Sequence, residues 1–126
     1  MSKVLIIDDD QELQKFYTEA LAKEQISVLS AYTGKEGLIK ARQEMPDLIV
    51  LDIMLPGGMH GFDVGKELKS DATLSAIPVL VLTNLGEERE NAERIGAVDY
   101  IVKSNASMES IVDKIKTLIQ KKETIQ

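Results

Sequence analysis

The sequence predicts an α/β fold: a single three-layer domain whose parallel sheet is covered by helices on both faces. Two observations carry that reading. Short apolar runs alternate, five times over, with segments whose apolar residues recur at helical spacing, and this alternation implies right-handed crossovers between parallel strands. Three of the runs, Val4–Ile7, Leu48–Leu51 and Val79–Leu82, are also apolar throughout, not at every second residue, as in strands buried on both faces.

The elements follow in order. Val4–Ile7 is the first run, closed by Asp8-Asp9-Asp10. Leu13, Phe16, Tyr17, Ala20 and Leu21 then make one face of a helix, with Asp10 near its N-terminus, where a carboxylate suits the open N–H groups and the dipole. Ile26–Ala31 reads as the second strand. Thr33-Gly34-Lys35-Glu36 is a capping-box pattern that opens a helix through Leu38, Ala41 and Met45, and Pro46 stops it. Asp47–Leu51 is the third strand; it hands Asp52 to a loop containing Pro56-Gly57-Gly58-Met59-His60-Gly61. Phe62, Val64 and Leu68 mark a short third helix that Gly65 weakens. Pro78–Leu82 is the fourth strand, ending at Thr83. Glu87–Ile95 is the fourth helix, with Gly96 as its left-handed C-terminal residue. Asp99–Val102 is the fifth strand, ending at Lys103. Ile111, Val112, Ile115, Leu118 and Ile119 form the stripe of a last helix capped by Ser107, and residues 123–126 are expected to fray.

Composition removes several function classes. A chain of 126 residues, 44% hydrophobic, supports one core. A formal charge of −6 speaks against nucleic-acid binding by this domain, since phosphate backbones select basic surfaces. With no cysteine, disulfides and thiolate metal sites are out of reach. There is no apolar run near the ~20 residues of a membrane helix and no signal-peptide pattern after Met1, so a cytoplasmic, non-membrane protein is expected.

Four strands end in chemistry-bearing residues: Asp8 and Asp9, Asp52, Thr83 and Lys103. In a parallel sheet these ends share one edge, where ligands of open α/β sheets sit. Two unit charges ~4 Å apart repel by about 4 kcal/mol at an effective dielectric of ~20. Three acids in one crevice therefore call for a cation, and an all-oxygen set favours Mg²⁺, Mn²⁺ or Ca²⁺. Lys103 can pair with Asp52 until something displaces it.

These residues resemble those of the receiver domain of two-component response regulators. The resemblance rests on Asp8-Asp9 after Val4-Leu5-Ile6-Ile7, Asp52 after Leu-Ile-Val-Leu, Pro56 four residues on, Thr83 after Val-Leu-Val-Leu, and Gly96-Ala97 with Asp99-Tyr100 just before Lys103. It covers nearly the whole chain and implies a receiver domain over residues 1–122 with a tail over 123–126. The implied fold is flavodoxin-like (CheY-like), a five-stranded sheet of order 2-1-3-4-5 with five helices. Asp52 is implied as the acceptor of a phosphoryl group. Asp8, Asp9, Asp52 and the backbone carbonyl of Met54 are implied as ligands of Mg²⁺, with Mn²⁺ as a substitute. Lys103 and Thr83 are implied to bind phosphoryl oxygens, and Tyr100 to be the aromatic that turns inward when Thr83 moves. The implied partners are a sensor histidine kinase or a histidine phosphotransfer protein. A monomer, or a dimer on phosphorylation, is the expected state. Such a chain is a signalling domain, not an enzyme, although its own phosphorylation and dephosphorylation are chemistry it takes part in.

Four features depart from the family pattern. The loop after Asp52 is one residue longer, and the segment between Thr83 and Lys103 is slightly short. Asn84 is bulkier than the usual small residue. Ser104 replaces the usual proline after Lys103, so a trans peptide is expected there.

Blander readings stand beside these. The three acids at 8–10 also suit a polar strand end plus helix cap, Tyr100 suits core packing nearly as well, and His60 reads as a solvated loop residue. Two further functions compete. A degenerate receiver would act as an interaction module without phosphate. An Asp-nucleophile phosphatase would use the Asp-x-Asp within Asp8-Asp9-Asp10, but Glu12 stands where that motif wants Thr or Val. A flavodoxin would need a hydroxyl- and glycine-rich loop where this chain has three acids.

Overall fold

The computed structural model describes residues 2–84 and 89–125, the last helix beyond Lys121 by its backbone alone. Strands β1 (Ser2–Ile7), β2 (Ile26–Ala31), β3 (Leu48–Asp52), β4 (Val79–Thr83) and β5 (Asp99–Val102) form one parallel sheet of order β2-β1-β3-β4-β5. The flavodoxin-like expectation holds. Helices α1 (Gln11–Ala22) and α5 (Met108–Ile125) cover one face, and α2 (Gly34–Glu44), α3 (Gly61–Ser70) and α4 (Arg89–Arg94) the other.

Strand periodicity divides the core between those layers. Val4, Ile6, Leu48, Val50, Leu80 and Leu82 pack with Tyr17, Leu21, Ile111 and Ile115 on the α1/α5 side. Leu5, Ile7, Ile49, Leu51, Val79 and Val81 pack with Leu38, Val64, Leu68, Ala92 and Ile95 on the other.

Helix ends follow local chemistry. Asp10 caps α1 by accepting from the amides of Glu12 and Leu13 at 3.0 and 3.1 Å. Thr33 accepts from Glu36 N–H at 3.1 Å, but Glu36 returns its carboxylate to Tyr32 N–H instead of closing the box on Thr33. Left-handed Met45 ends α2 before Pro46, and Ser107 caps α5 through Ser110 N–H at 3.0 Å. Gly96 has φ +71°, as expected of a left-handed C-terminal glycine. The start of the fourth helix expected at Glu87 lies outside the described residues. The backbone of α5 continues to Ile125, past residue 122.

Some boundaries shift for identifiable reasons. β1 starts at Ser2 because Ser2 and Lys3 pair with Ile26 and Ser27. Asp47 precedes β3, and its carboxylate accepts Lys3 N–H at 2.9 Å. Pro78 has no N–H to give and precedes β4, its carbonyl accepting Ile49 N–H at 3.0 Å. Gly65 has a positive purpose within α3: a Cβ there would lie 2.4 Å from Ile95 Cδ1, so the glycine permits the close approach of Ile95, just past the end of α4.

Candidate functional site

Strand register assembles the site before any side chain is considered. Ile7 pairs with Leu51, so Asp8, just past β1, and Asp52, the last residue of β3, stand one rung further on. Asp52 pairs with Leu82, and Thr83 with Val102, which puts Thr83 and Lys103 just beyond on the next two strands. Asp8 and Asp52 continue the alternation that faces α1 and α5, whereas Thr83 continues that of Val79 and Val81 toward α4.

The acids and the lysine converge. Lys103 Nζ donates to Asp8 Oδ2 at 2.7 Å and to Asp52 Oδ2 at 3.1 Å. The pair expected from sequence was Lys103 with Asp52; the structure adds Asp8 as the nearer partner. Asp8 and Asp52 are buried and Lys103 is nearly so. The peptide after Lys103 is trans, and a 3-10 turn over Lys103–Asn105 carries the chain toward α5. Each carboxylate is oriented by a backbone amide two residues on: Asp10 N–H donates to Asp8 Oδ1 and Met54 N–H to Asp52 Oδ1, both at 3.0 Å. Sequence reasoning singled out Met54 for its carbonyl, and its amide is a second contribution. Its side chain is exposed.

Burial pushes the Asp52 carboxyl above the ordinary carboxylate range; the charge of Lys103 and the Met54 N–H pull it down, and Asp8 pushes it up. Burial works against the charge of Lys103, but the hydrogen bond to Asp8 and the charges of Asp52 and Asp8 outweigh it and hold the ammonium above its ordinary value. The lysine is thus the cation on which two buried carboxylates rely.

Carboxylate oxygens of Asp8, Asp9 and Asp52 lie within 4.8 Å of one another, with Asp9 exposed at the mouth. Octahedral Mg²⁺ takes oxygens at about 2.1 Å, so opposite ligands stand about 4.2 Å apart. A small contraction of the three acids reaches that span, and a purely oxygen donor set is what a hard cation selects. The residues present fit such an ion.

Thr83 is fully buried at the end of β4. Tyr100, opposite Val81, is half-buried against the core on the α4 side. His60 stands at the start of α3, exposed, with Nδ1 3.3 Å from Leu55 O, away from the acids in its contacts. Gln14, on α1, is a residue that sequence reasoning passed over: it is buried and donates to Asp8 O at 3.1 Å. No sequence signal marks it, because its acceptors belong to β1, the turn after it, and β2.

Comparison with known proteins is consistent with this geometry. Protein PilH of Pseudomonas aeruginosa is 39% identical over 105 residues, covering 82% of this chain and 86% of that protein. The probable transcriptional regulator ycf27 of Guillardia theta is 39% identical over 103 residues, 80% of this chain but only 39% of its own length. Other curated relatives are likewise spanned over about half of their length or less. A receiver domain protein of Methanospirillum hungatei superposes with a TM-score of 0.87 at 26% identity, covering 100% of this chain and 99% of that one. The family model of the response regulator receiver domain matches residues 4–116. On strand order, on the residues gathered at the sheet edge and on a match over nearly its whole length, this chain belongs to the response regulator receiver domain family.

Proposed function

We propose that this domain accepts a phosphoryl group on Asp52 from a histidine kinase or a histidine phosphotransfer protein, in a Mg²⁺-dependent reaction, and that the modification alters its α4–β5 surface. The observation that carries the proposal is the buried Asp52 carboxylate, held by Met54 N–H on one oxygen and by Lys103 on the other.

An Asp52 oxygen attacks phosphorus, the bond from phosphorus to the donor's imidazole nitrogen breaks, and the imidazole leaves with a proton. Asp8, Asp9, Asp52 and the Met54 carbonyl would hold Mg²⁺ (or Mn²⁺), which supplies the charge neutralisation that lets two anions meet. Lys103 then binds a phosphoryl oxygen as a compact cation. Thr83 donates its hydroxyl to another oxygen. Thr83 and Tyr100 lie on the same face of the sheet, which supports a coupled movement in which Tyr100 takes the space that Thr83 leaves. A groove of about 220 Å³ beside it, lined in part by Arg89, Glu93, Val98 and Asp99, is the surface that such a movement reshapes.

Intact-mass measurement with a small phosphodonor and Mg²⁺ tests the proposal. One phosphate adduct is expected, lost in Asp52→Asn. No adduct on the wild-type chain with any donor would leave an interaction module that works without phosphate.

Asn84, exposed just after Thr83, is proposed to screen the aspartyl phosphate from water. Asn84→Ala is expected to speed loss of the phosphoryl group by up to ~10-fold, about 1.4 kcal/mol of barrier. An unchanged decay of the adduct would sink that role.

A further inference from the structure

We propose that Gln14 is a positioning residue for the acid cluster, its side-chain amide fixing the backbone from which Asp8 and Asp9 project. The inference rests on the reading of Asp8, Asp9 and Asp52 as the metal site.

Gln14 is 1% exposed; of the other buried residues on α1, Leu21 packs in the core and Tyr17 packs there with its hydroxyl within electrostatic reach of Asp8, Asp52 and Lys103. Its Nε2 lies 2.8 Å from Ile6 O, 3.1 Å from Asp8 O and 3.1 Å from Ala31 O. Ala31 O also receives Asp8 N–H at 3.0 Å. The peptide units on both sides of Asp8 are therefore tied down, one to β2 and the other to Gln14. With the backbone fixed and Oδ1 held by Asp10 N–H, Asp8 directs Oδ2 toward Lys103 and the other acids. Three acceptors around one NH₂ group also settle the orientation of the amide, since a flipped Oε1 would face three carbonyl oxygens.

The other end of the amide shows what this arrangement gives up. Gln14 Oε1 is buried and has no hydrogen-bond partner among the described residues. A residue kept only for packing would carry no such unmet acceptor, as methionine of similar length has none. The donor end accounts for the amide, and that donor acts on the chain segment that bears two of the three acids. Residues that orient metal ligands from behind typically change metal affinity about 10- to 100-fold when replaced.

Mg²⁺ titration calorimetry, alongside thermal unfolding of the metal-free protein, tests the assignment. Gln14→Met removes the donors and is expected to weaken Mg²⁺ binding about 10-fold or more. Gln14→Asn keeps the amide but shortens its reach; it is expected to give an intermediate loss, and keeps the test open if the methionine variant fails to fold. Ile115→Val, in the buried core on α5, is the control, expected to lower Tm with the Mg²⁺ dissociation constant unchanged. Gln14 variants that lower Tm but bind Mg²⁺ as the wild type does would make the residue purely structural and overturn the assignment. A wild-type chain that binds no Mg²⁺ would remove the metal site itself, and this assignment with it.

Discussion

Lys103→Met is expected to cost the metal-free protein about 3 kcal/mol at about pH 8, because removing one partner of a buried ion pair strands the charge that remains. In a chain of this length that lowers Tm by on the order of 10 °C. Methionine keeps most of the aliphatic stem, so the loss isolates the ammonium that lies 2.7 Å from Asp8 and 3.1 Å from Asp52. The pH dependence fixes the cause. Burial already raises the Asp52 carboxyl above its unfolded value, and Lys103 is the main influence opposing that rise. Without the lysine the carboxyl moves further up, so the folded variant holds a proton that the unfolded chain releases. Stability of the variant therefore falls as pH rises above about 4, and its deficit against the wild type is small in acid and large near neutrality. Millimolar Mg²⁺ is expected to return part of the loss by replacing the missing positive charge. Urea and thermal unfolding at several pH values, with and without Mg²⁺, measure all of this. A deficit of the same size at every pH would assign the effect to packing.

The parts of this site that could be read from the residues are those where one strand and one chemical type coincide. Asp8, Asp52, Thr83 and Lys103 each close an apolar run, and the rule that parallel strands end on one edge brings them together without any knowledge of side-chain packing. Asp10 and Ser107 were legible for a related reason, since a cap acts within three residues of itself. What escaped were relations across the fold. The hydrogen bond from Lys103 to Asp8 joins residues far apart in the chain. Gln14 reaches two strands at once. Gly65 looked like a weakness in a helix because its reason, Ile95, lies on the far side of β4 in the sequence. Propensity speaks of a residue's neighbours in the chain, and these residues answer to neighbours in space.

Gly61→Ala is expected to be the most damaging single-methyl addition near the site, and Gly58→Ala, three residues earlier in the same loop, to be harmless. A Cβ on Gly61 would lie 2.2 Å from Asp52 O and 2.5 Å from Ile53 Cα. Both are backbone atoms, so no rotamer change relieves the clash. Gly61 N–H also donates to Ile53 O at 3.0 Å, which locks the start of α3 against the segment that leaves Asp52. Overpacking of side chains typically costs 1–3 kcal/mol, and a clash against fixed backbone is expected to reach about 3 kcal/mol or more. A Cβ on Gly58 meets nothing within 4 Å, and an exposed change of that kind stays within about 0.5 kcal/mol. The loop is thus open around Gly58 and closed against backbone at Gly61. The second effect of Gly61→Ala is chemical. Pushing α3 away moves the Asp52 peptide and with it the carboxylate, and a misplacement of about 1 Å can cost ~100-fold in rate. Phosphoryl uptake in the folded fraction of Gly61→Ala is expected to slow well beyond its loss of stability, whereas Gly58→Ala keeps the wild-type rate. Urea unfolding and timed intact-mass measurement separate the two effects. Equal uptake by both variants would mean that α3 does not set the position of Asp52.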